Sequence, residues 1–532
     1  MGGAGTGEGT PRGRGGAGGH GSVEQHGTVR RGPVEHGPVG QGPVGQGPVG
    51  EGPVGQGPVG QGPVGHGHVE HGPVGQGPVG HGPVGRGPVG HGPVEHGPVG
   101  QGPEGHGPVG RGPVGPAPVV HGAVGHGPVR YGPPLPEPGL PVLPELHSVL
   151  AGTAGLSDAE PPGGGPALLD AACGYWARRG LPTRTGQVAA APGAPALLLA
   201  VTAAVGGDVL LPRPCTAWWA PQARLLGRPA YPVPTPAECG GIPDPYALLE
   251  TVRRVRDEGG DPRLLVLSVA DDPTATVPPP ESLHETVEAA DSEGLHIVSD
   301  ETWLDTLHDP AATVRAGPAE MLPDAVTVLV DLAGAFLPPG WPAAVARFPA
   351  TEYGSVLRAR VLDALTALGA APAAPVAAVA AHVLGEPAHV TERARDCARV
   401  HAVLAAAVHR VVLGAGALCL PPRAGRHLYA DLGPLRGPLA TRGVRDAMEL
   451  EEFLSTRLGA PAPGGHRFGD DLAALRVRLS TGPLLGSTTV ERVASLTALE
   501  PLELPHVERA LSIFESAFGD LCVDAHRTEP LR

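Results

Sequence analysis

The segment LHIVSDETWLD, from Leu295 to Asp305, is an apolar run that ends in acidic residues. Three similar runs accompany it: VLLP from Val209, RLLVLSVA from Arg263 and VTVLVDL from Val326. Strand-like runs separated by helical Ala/Leu patterns, at intervals of roughly 30 to 55 residues, predict a parallel sheet covered by helices. Ligands of such sheets bind at the carboxyl ends of the strands, so the residues that follow each run are the candidate site.

The chain before these runs has a different composition. Residues 1–135 contain a five-residue repeat, G-P-V-G-x, in which x is Gln, His, Arg or Glu. A unit with one apolar side chain, one proline and two glycines cannot form a core, so we predict a disordered tail. A Pro-rich linker follows at 136–147, and then an α/β domain at 148–525. Its length predicts two lobes, a large one at about 175–345 and a smaller α+β lobe at about 375–520 that ends in a helical segment.

Composition also restricts the class of function. The 38 residues counted as Lys or Arg are all Arg, and the chain contains no Lys and no Asn. The tail carries seven Arg and seven Glu, so the net charge of −15 belongs to the domain and argues against nucleic acid or an acidic membrane as a partner. Six cysteines without a C-x-x-C pair, and an N-terminus without an apolar signal segment, predict free thiols and a cytoplasmic protein.

Eight segments near the expected strand ends and turns carry a family resemblance. They are GQVAAAPGAPALLLAV (186–201), GGDVLLPRPCTAWW (206–219), VLSVADDPTATV (266–277), LHIVSDETWLD (295–305), VLVDLAGAFLPPGW (328–341), LCLPPRAGRHLYADL (418–432), APAPGGHRFG (460–469) and LRVRLSTG (475–482). Their order and intervals resemble the class I/II aminotransferases, the fold-type I family that uses pyridoxal phosphate (PLP). The resemblance implies an α/β fold, PLP as cofactor and a dimer with its active site at the subunit interface.

The resemblance assigns cofactor-binding positions residue by residue. Asp300 stands where the family places the carboxylate that pairs with the pyridine nitrogen of PLP. Trp303 and Asp272 stand where the family has a tyrosine and an asparagine beside the phenolic oxygen. Gly193 and Ala194 form the turn whose backbone N–H groups hold the phosphate. We expect weakened contacts, since an ionised Asp272 repels a phenolate.

Other family positions have lost their chemistry. Gly334 occupies the position of the lysine that forms the internal aldimine, Pro342 that of a phosphate-binding arginine, and Thr216 that of a stacking aromatic residue. No lysine elsewhere in the chain can replace the missing amine, so no catalytic residue is assigned. Arg478 aligns with the arginine that clamps the α-carboxylate of the substrate. The alternative for Arg478 is a strand arginine paired with a surface carboxylate.

The tryptophans and one acidic stretch can each be explained either by a ligand site or by ordinary structure. Trp218, Trp219, Trp303 and Trp341 lie beside cofactor-pocket positions, and we expect large rings to fill part of a vacated cleft, ordinary packing of the lobe being the alternative. The stretch DETWLDTLHD (300–309) gathers carboxylates and a histidine. An acidic loop in a negatively charged chain needs no ion, and no metal site is predicted.

The sequence therefore predicts an aminotransferase-like pseudoenzyme that forms no Schiff base. It is expected to act as a binding or regulatory subunit for an amino-acid-like small ligand, as a homodimer or as a heterodimer with an active relative. One alternative is an enzyme of amino-acid or secondary metabolism that holds PLP non-covalently through Asp300, Gly193-Ala194 and Arg478. Another is that the repeat tail acts as a self-association segment, with the domain as its anchor.

Overall fold

The computed structural model describes residues 140–153, 155 and 158–528, with side chains as far as Leu521. The predicted repeat tail and the first part of the linker lie outside these residues. In the described ranges the helices are α1 Pro144–Thr153, α2 Pro166–Arg178, α3 Ala194–Val205, α4 Trp219–Leu225, α5 Pro245–Asp257, α6 Pro280–Ser292, α7 Pro318–Met321, α8 Glu352–Leu368, α9 Ala374–Leu384, α10 Ala388–Gly414, α11 Arg436–Thr441, α12 Ala447–Leu458, α13 Thr489–Thr497 and α14 Pro505–Thr528. The strands are β1 Val188–Ala191, β2 Asp208–Arg213, β3 Ala230–Pro234, β4 Pro262–Ser268, β5 His296–Asp300, β6 Val326–Asp331, β7 Ala344–Arg347, β8 Leu418–Cys419, β9 His427–Asp431 and β10 Arg476–Ser480.

A seven-stranded sheet organises the large lobe, in the order β1-β7-β6-β5-β4-β2-β3. Strands β3, β2, β4, β5 and β6 are parallel to one another, whereas β7 runs antiparallel to both β6 and β1. The four apolar runs predicted as strands are β2, β4, β5 and β6. The predicted α/β fold with a mainly parallel sheet is therefore confirmed.

Helices cover both faces of this sheet. Residues of α2, α5, α6 and α9 form one core with the strands, and residues of α3, α4 and α8 form a second core on the other face. All five residues of β5 are buried, as expected for a central strand between two helical layers. A strand buried on both sides reads as a continuous apolar run, which is why the sequence located the central strands.

The small lobe has its own core around the three-stranded antiparallel sheet β10-β9-β8. The 27-residue helix α10 is long and apolar enough to cross a membrane by length and composition. Its residues Val400, Leu404 and Val408 are fully buried in this core, against strands and helices of the lobe. Burial in the lobe therefore accounts for the apolar composition of α10.

Two boundaries differ from the expected ones. Helix α1 begins at Pro144, inside the stretch assigned to the linker, and its Leu146 is buried in a large-lobe core. Helix α9, expected at the start of the small lobe, contributes Ala377 and Val379 to the same large-lobe core. Proline is compatible with the first turn of a helix, so the Pro-rich segment did not prevent α1 from forming.

Candidate functional site

The candidate residues of several strands meet at one edge of the large sheet, which we name the carboxyl edge. The register pairs Ser268, the last residue of β4, with Asp300, the last residue of β5. Asp331 ends β6 opposite Ala344, and Ala344 also faces Ala191 at the end of β1. The ends of β1, β4, β5 and β6 therefore lie together, and each is followed by a predicted site residue or ends in an aspartate.

The turn between β1 and α3 already holds a carboxylate of the protein. Gly193 has a φ of +97°, a conformation that glycine adopts readily, and it precedes the first N–H groups of α3. The Ala194 N–H donates to Asp331 Oδ2 at 2.8 Å, and the Ala333 N–H donates to Asp331 Oδ1 at 2.9 Å. A side-chain anion thus lies at the helix N-terminus where the sequence predicted a phosphate.

Asp331 was not singled out by the sequence. Burial raises its pKa, while the N–H bonds from Ala194 and Ala333 act in the opposite direction. The interaction with Ala194 joins residues 137 positions apart in the chain. The available signal was an aspartate at the end of a predicted strand, which becomes informative once the strand order is known.

Arg478, on β10, is paired with a buried carboxylate. Its Nη1 donates to Asp272 Oδ1 at 2.7 Å, and His427 Nδ1 lies 3.6 Å from the same oxygen. The guanidinium also packs over the Phe468 ring, 4.9 Å from its centroid. The alternative of a strand arginine paired with a carboxylate thus describes this pair, except that the carboxylate is buried rather than at the surface: Asp272 and Arg478 are each 9% exposed. A long-range pair of this kind, 206 residues apart, has no local sequence signal.

Asp300, the last residue of β5, lies near other carboxylates of the carboxyl edge. Its Oδ1 accepts a hydrogen bond from the Thr302 N–H at 3.0 Å. Burial, together with the nearby Asp331 and Asp272, raises the pKa of Asp300 to about 7, although the hydrogen bonds from Thr302 act in the opposite direction. Burial likewise raises the pKa of Asp271 to about 7. Near neutral pH these groups therefore lie between their protonated and ionised forms.

The position expected for the lysine has no space for a side chain. A Cβ atom on Gly334 would lie 2.3 Å from the carbonyl oxygen of Thr302 and 2.8 Å from its Cγ2. Carbon atoms do not approach backbone so closely, so a larger residue at this position requires the backbone to move. The Gly334 N–H itself donates to the Asp331 carbonyl oxygen at 3.1 Å, which fixes the turn after β6.

The four tryptophans lie in different surroundings. Trp219 is buried in the core beneath α3 and α8, with Trp218 edge to face at 6.3 Å, which is ordinary packing of the lobe. Trp341 lies 6.2 Å from the His147 ring. Trp303 packs edge to face on His427, with 5.7 Å between centroids. Trp303 therefore reaches the carboxyl edge through the histidine beside Asp272.

The acidic stretch after β5 is held by arginines. Asp305 accepts hydrogen bonds from Tyr175 Oη at 2.6 Å, Arg179 Nη2 at 2.9 Å and Arg315 Nη2 at 2.8 Å. Although burial acts to raise the pKa of Asp305, these arginines hold it below its usual value. In the described part of the chain, no group of three or more His, Cys, Asp or Glu side chains is arranged to hold a metal ion.

A mainly parallel sheet between two helical layers, with candidate residues at its carboxyl edge and a smaller α+β lobe beside it, defines an aminotransferase-type α/β protein. The family model for aminotransferase class I and II matches residues 155–494. This match covers more than half of the chain, so the chain belongs to the class I and II aminotransferase family, whose members depend on PLP. A comparison with curated protein sequences finds no match.

Solved structures show the same fold at low sequence identity. Aspartate aminotransferase from Thermus thermophilus with maleate has a TM-score of 0.59 and 19% identity, over 72% of this chain and 90% of that one. Aromatic aminotransferase from Pyrococcus horikoshii OT3 has a TM-score of 0.58 and 16% identity, over 73% of this chain and 94% of that one. N-succinyldiaminopimelate aminotransferase from Mycobacterium tuberculosis has a TM-score of 0.58 and 20% identity, over 72% and 91%.

Proposed function

We propose that the chain is an aminotransferase-like pseudoenzyme that performs no Schiff-base chemistry and works as a binding or regulatory subunit. The observation that carries the proposal is Gly334. It stands at the position of the family lysine, its surroundings admit no Cβ atom, and the chain has no Lys that could act in its place. An amine is indispensable for covalent attachment of PLP.

The phosphate end of the site supports this proposal. The Ala194 N–H, at the N-terminus of α3, is already bound to the Asp331 carboxylate. A phosphate at the same place would meet a second negative charge and compete with it for the same N–H group. Pro342, at the position of the phosphate-binding arginine, supplies no positive charge to compensate. These residues do not fit the phosphate of PLP.

The substrate end supports it too. A substrate carboxylate would have to displace Asp272 from Arg478, and the displaced carboxylate would remain buried without its partner. Breaking a buried ion pair in this way costs about 3–5 kcal/mol. Arg478 therefore serves the protein as an internal partner of Asp272 rather than as a substrate clamp.

The alternative, a residual enzyme that holds PLP without a covalent bond, rests on Asp300 alone. Asp300 keeps its family position at the end of β5. However, burial and two neighbouring aspartates raise its pKa to about 7, which weakens the ionised form that would pair with a pyridine nitrogen. In addition, the groups at both ends of the site are bound to carboxylates of the protein, the Ala194 N–H to Asp331 and Arg478 to Asp272.

A turnover assay tests the proposal. The purified full-length protein is incubated with PLP and a panel of amino acids with 2-oxo acids as acceptors, and product is quantified over time. We expect no product above that from PLP alone, whereas an intact lysine-bearing aminotransferase assayed in parallel turns over repeatedly. Multiple turnovers by the full-length protein, retained through a second purification, would overturn the proposal.

We infer from the family that the subunit pairs with a second copy or with an active relative. Sedimentation velocity of the full-length protein alone, and mixed with a candidate relative, separates the two cases. A single dimeric species of the protein alone supports the homodimer. A species that forms only in the mixture supports the heterodimer, and a monomer under both conditions contradicts the regulatory-subunit role.

A further inference from the structure

A cavity of about 100 Å³ lies beside Gly334, and we name it the Arg426 cavity. Its walls come from the segment 140–146, the loop 333–339, the side chain of Trp303, the first half of α10 and the turn at Gly425-Arg426. The lining includes two arginines, Arg393 and Arg426, and no aspartate or glutamate. The lining therefore carries an excess of positive charge in a chain whose net charge is −15, and this excess favours an anionic ligand.

Arg426 is the group that lacks a partner. Its Nε is buried and forms no hydrogen bond, and no ion pair joins its guanidinium to another residue that the structure describes. The guanidinium carbon lies 5.4 Å from the Trp303 ring centroid, which positions it without satisfying its N–H groups. Arg393, by contrast, donates from Nη2 to the Pro141 carbonyl oxygen at 2.7 Å and so ties down the segment that closes the cavity.

The other polar groups in the wall leave this charge uncompensated. His401 Nδ1 lies 2.7 Å from Thr481 Oγ1, and burial together with Arg426 lowers the pKa of His401 to about 3, which leaves the ring neutral. Burial raises the pKa of Cys397 to about 11, so its thiol is also neutral. An unpaired guanidinium donor in a partly buried wall is costly, and an anionic ligand would satisfy it.

The size and the apolar walls narrow the class of ligand. A cavity of about 150 Å³ is known to accept benzene, so this smaller one of about 100 Å³ suits a ligand with fewer heavy atoms than benzene. Its apolar lining includes Leu140, Leu143, Phe336 and Leu337. Arg478, where the family resemblance places the substrate carboxylate, is absent from the lining and is held by Asp272. The cavity is therefore separate from that position.

We infer that the Arg426 cavity binds a short aliphatic carboxylate of about two or three carbons, with its carboxylate on Arg426 and its hydrocarbon body against Leu143 and Phe336. The acid is a ligand class for the proposed binding subunit, and only this biological role of the acid rests on the proposed function. The cavity borders Gly334 and Trp303, but the group that would hold the acid is Arg426, so binding of the acid does not require PLP. Failure of one idea is therefore distinguishable from failure of the other.

Isothermal titration calorimetry of the full-length protein with propanoate tests the inference, with propanamide as a neutral analogue of the same shape. We expect the acid to bind and the amide to bind at least about ten-fold more weakly, since a hydrogen bond to a charged group is worth about 1.5–3 kcal/mol. Arg426→Met should weaken binding of the acid by a similar factor. Arg410→Met is the control, since Arg410 is exposed on α10, the helix whose first half lines the cavity. This substitution should leave binding of the acid unchanged.

A second variant keeps the test decisive if Arg426→Met does not fold. Ala398→Leu fills the cavity from α10 without a change of charge and should abolish binding of the acid. Circular dichroism and thermal unfolding establish the fold of both variants. The inference is overturned if the wild type shows no binding, if acid and amide bind equally, or if folded variants at both positions bind as the wild type does.

Discussion

The carboxyl edge and the Arg426 cavity lie on the same fold but differ in the balance of their charges. At the carboxyl edge, Asp331 occupies the N-terminus of α3 and Asp272 occupies Arg478. In the cavity, Arg426 has no carboxylate among the described residues. At the carboxyl edge, internal carboxylates already pair with the N–H and guanidinium groups that could hold an anion, whereas in the cavity the guanidinium has no such partner in the part of the chain that the structure describes. Capacity for a ligand remains where a charge is left unmatched.

The largest expected effect comes from the buried ion pair at the carboxyl edge. Asp272→Ala leaves Arg478 buried without its partner, and we expect a loss of about 3–5 kcal/mol in the free energy of unfolding. Urea denaturation measures it. The control is Asp471→Ala, at a side chain that is 79% exposed and 3.8 Å from Arg213, where we expect less than about 1 kcal/mol. If Asp272→Ala loses no more free energy of unfolding than the control does, Asp272 and Arg478 do not form a stabilising ion pair.

Gly334 gives the next largest effect. Gly334→Ala places a Cβ atom against the backbone of Thr302, and we expect a loss of about 1–3 kcal/mol from overpacking. Gly340→Ala, in the same loop, is the matched control because nothing lies within 4 Å of its Cβ position. Thermal unfolding compares the two variants. Equal stability would mean that the loop has room for a side chain, and the family lysine would then be restorable by substitution.

Asp331 tests whether an internal anion can be exchanged for an external one. Asp331→Ala frees the N–H groups of Ala194 and Ala333, and we expect a loss of about 1–2 kcal/mol. Added inorganic phosphate should then raise the Tm of this variant by mass action but leave the wild type unchanged. Asp331→Asn, which keeps a carbonyl acceptor, should respond less than Asp331→Ala. A wild type that responds to phosphate as strongly as the alanine variant refutes internal occupancy.

The smallest effect concerns pH. The pKa of Asp300 is raised to about 7 in the folded protein, so its folded form binds a proton more tightly than the unfolded chain does. Its contribution to stability is complete below the unfolded pKa and is lost as the pH rises through about 7. Asp300→Asn cannot lose a proton, so it should gain about 1 kcal/mol relative to the wild type between pH 6 and pH 8. A constant difference across this range would contradict the raised pKa.

The sequence revealed the fold better than the site. Continuous apolar runs such as that of β5 are local signals, and they located the central strands correctly. The family positions of Asp300 and Gly334 also follow from local motifs. The pairs that neutralise the carboxyl edge join residues 137 and 206 positions apart, so neither is visible before the strands are placed side by side. Asp272 was expected to repel a cofactor, and its actual partner, Arg478, was assigned to a substrate.

Retention of PLP by the full-length wild type tests the central claim most directly. The protein is saturated with PLP and passed through gel filtration, and PLP that elutes with the protein is quantified by absorbance. We expect the cofactor to separate completely, because no amine is available near Gly334 and the anion position on α3 is taken by Asp331. One PLP per chain eluting with the protein, at a wavelength shifted from that of free PLP, would contradict it.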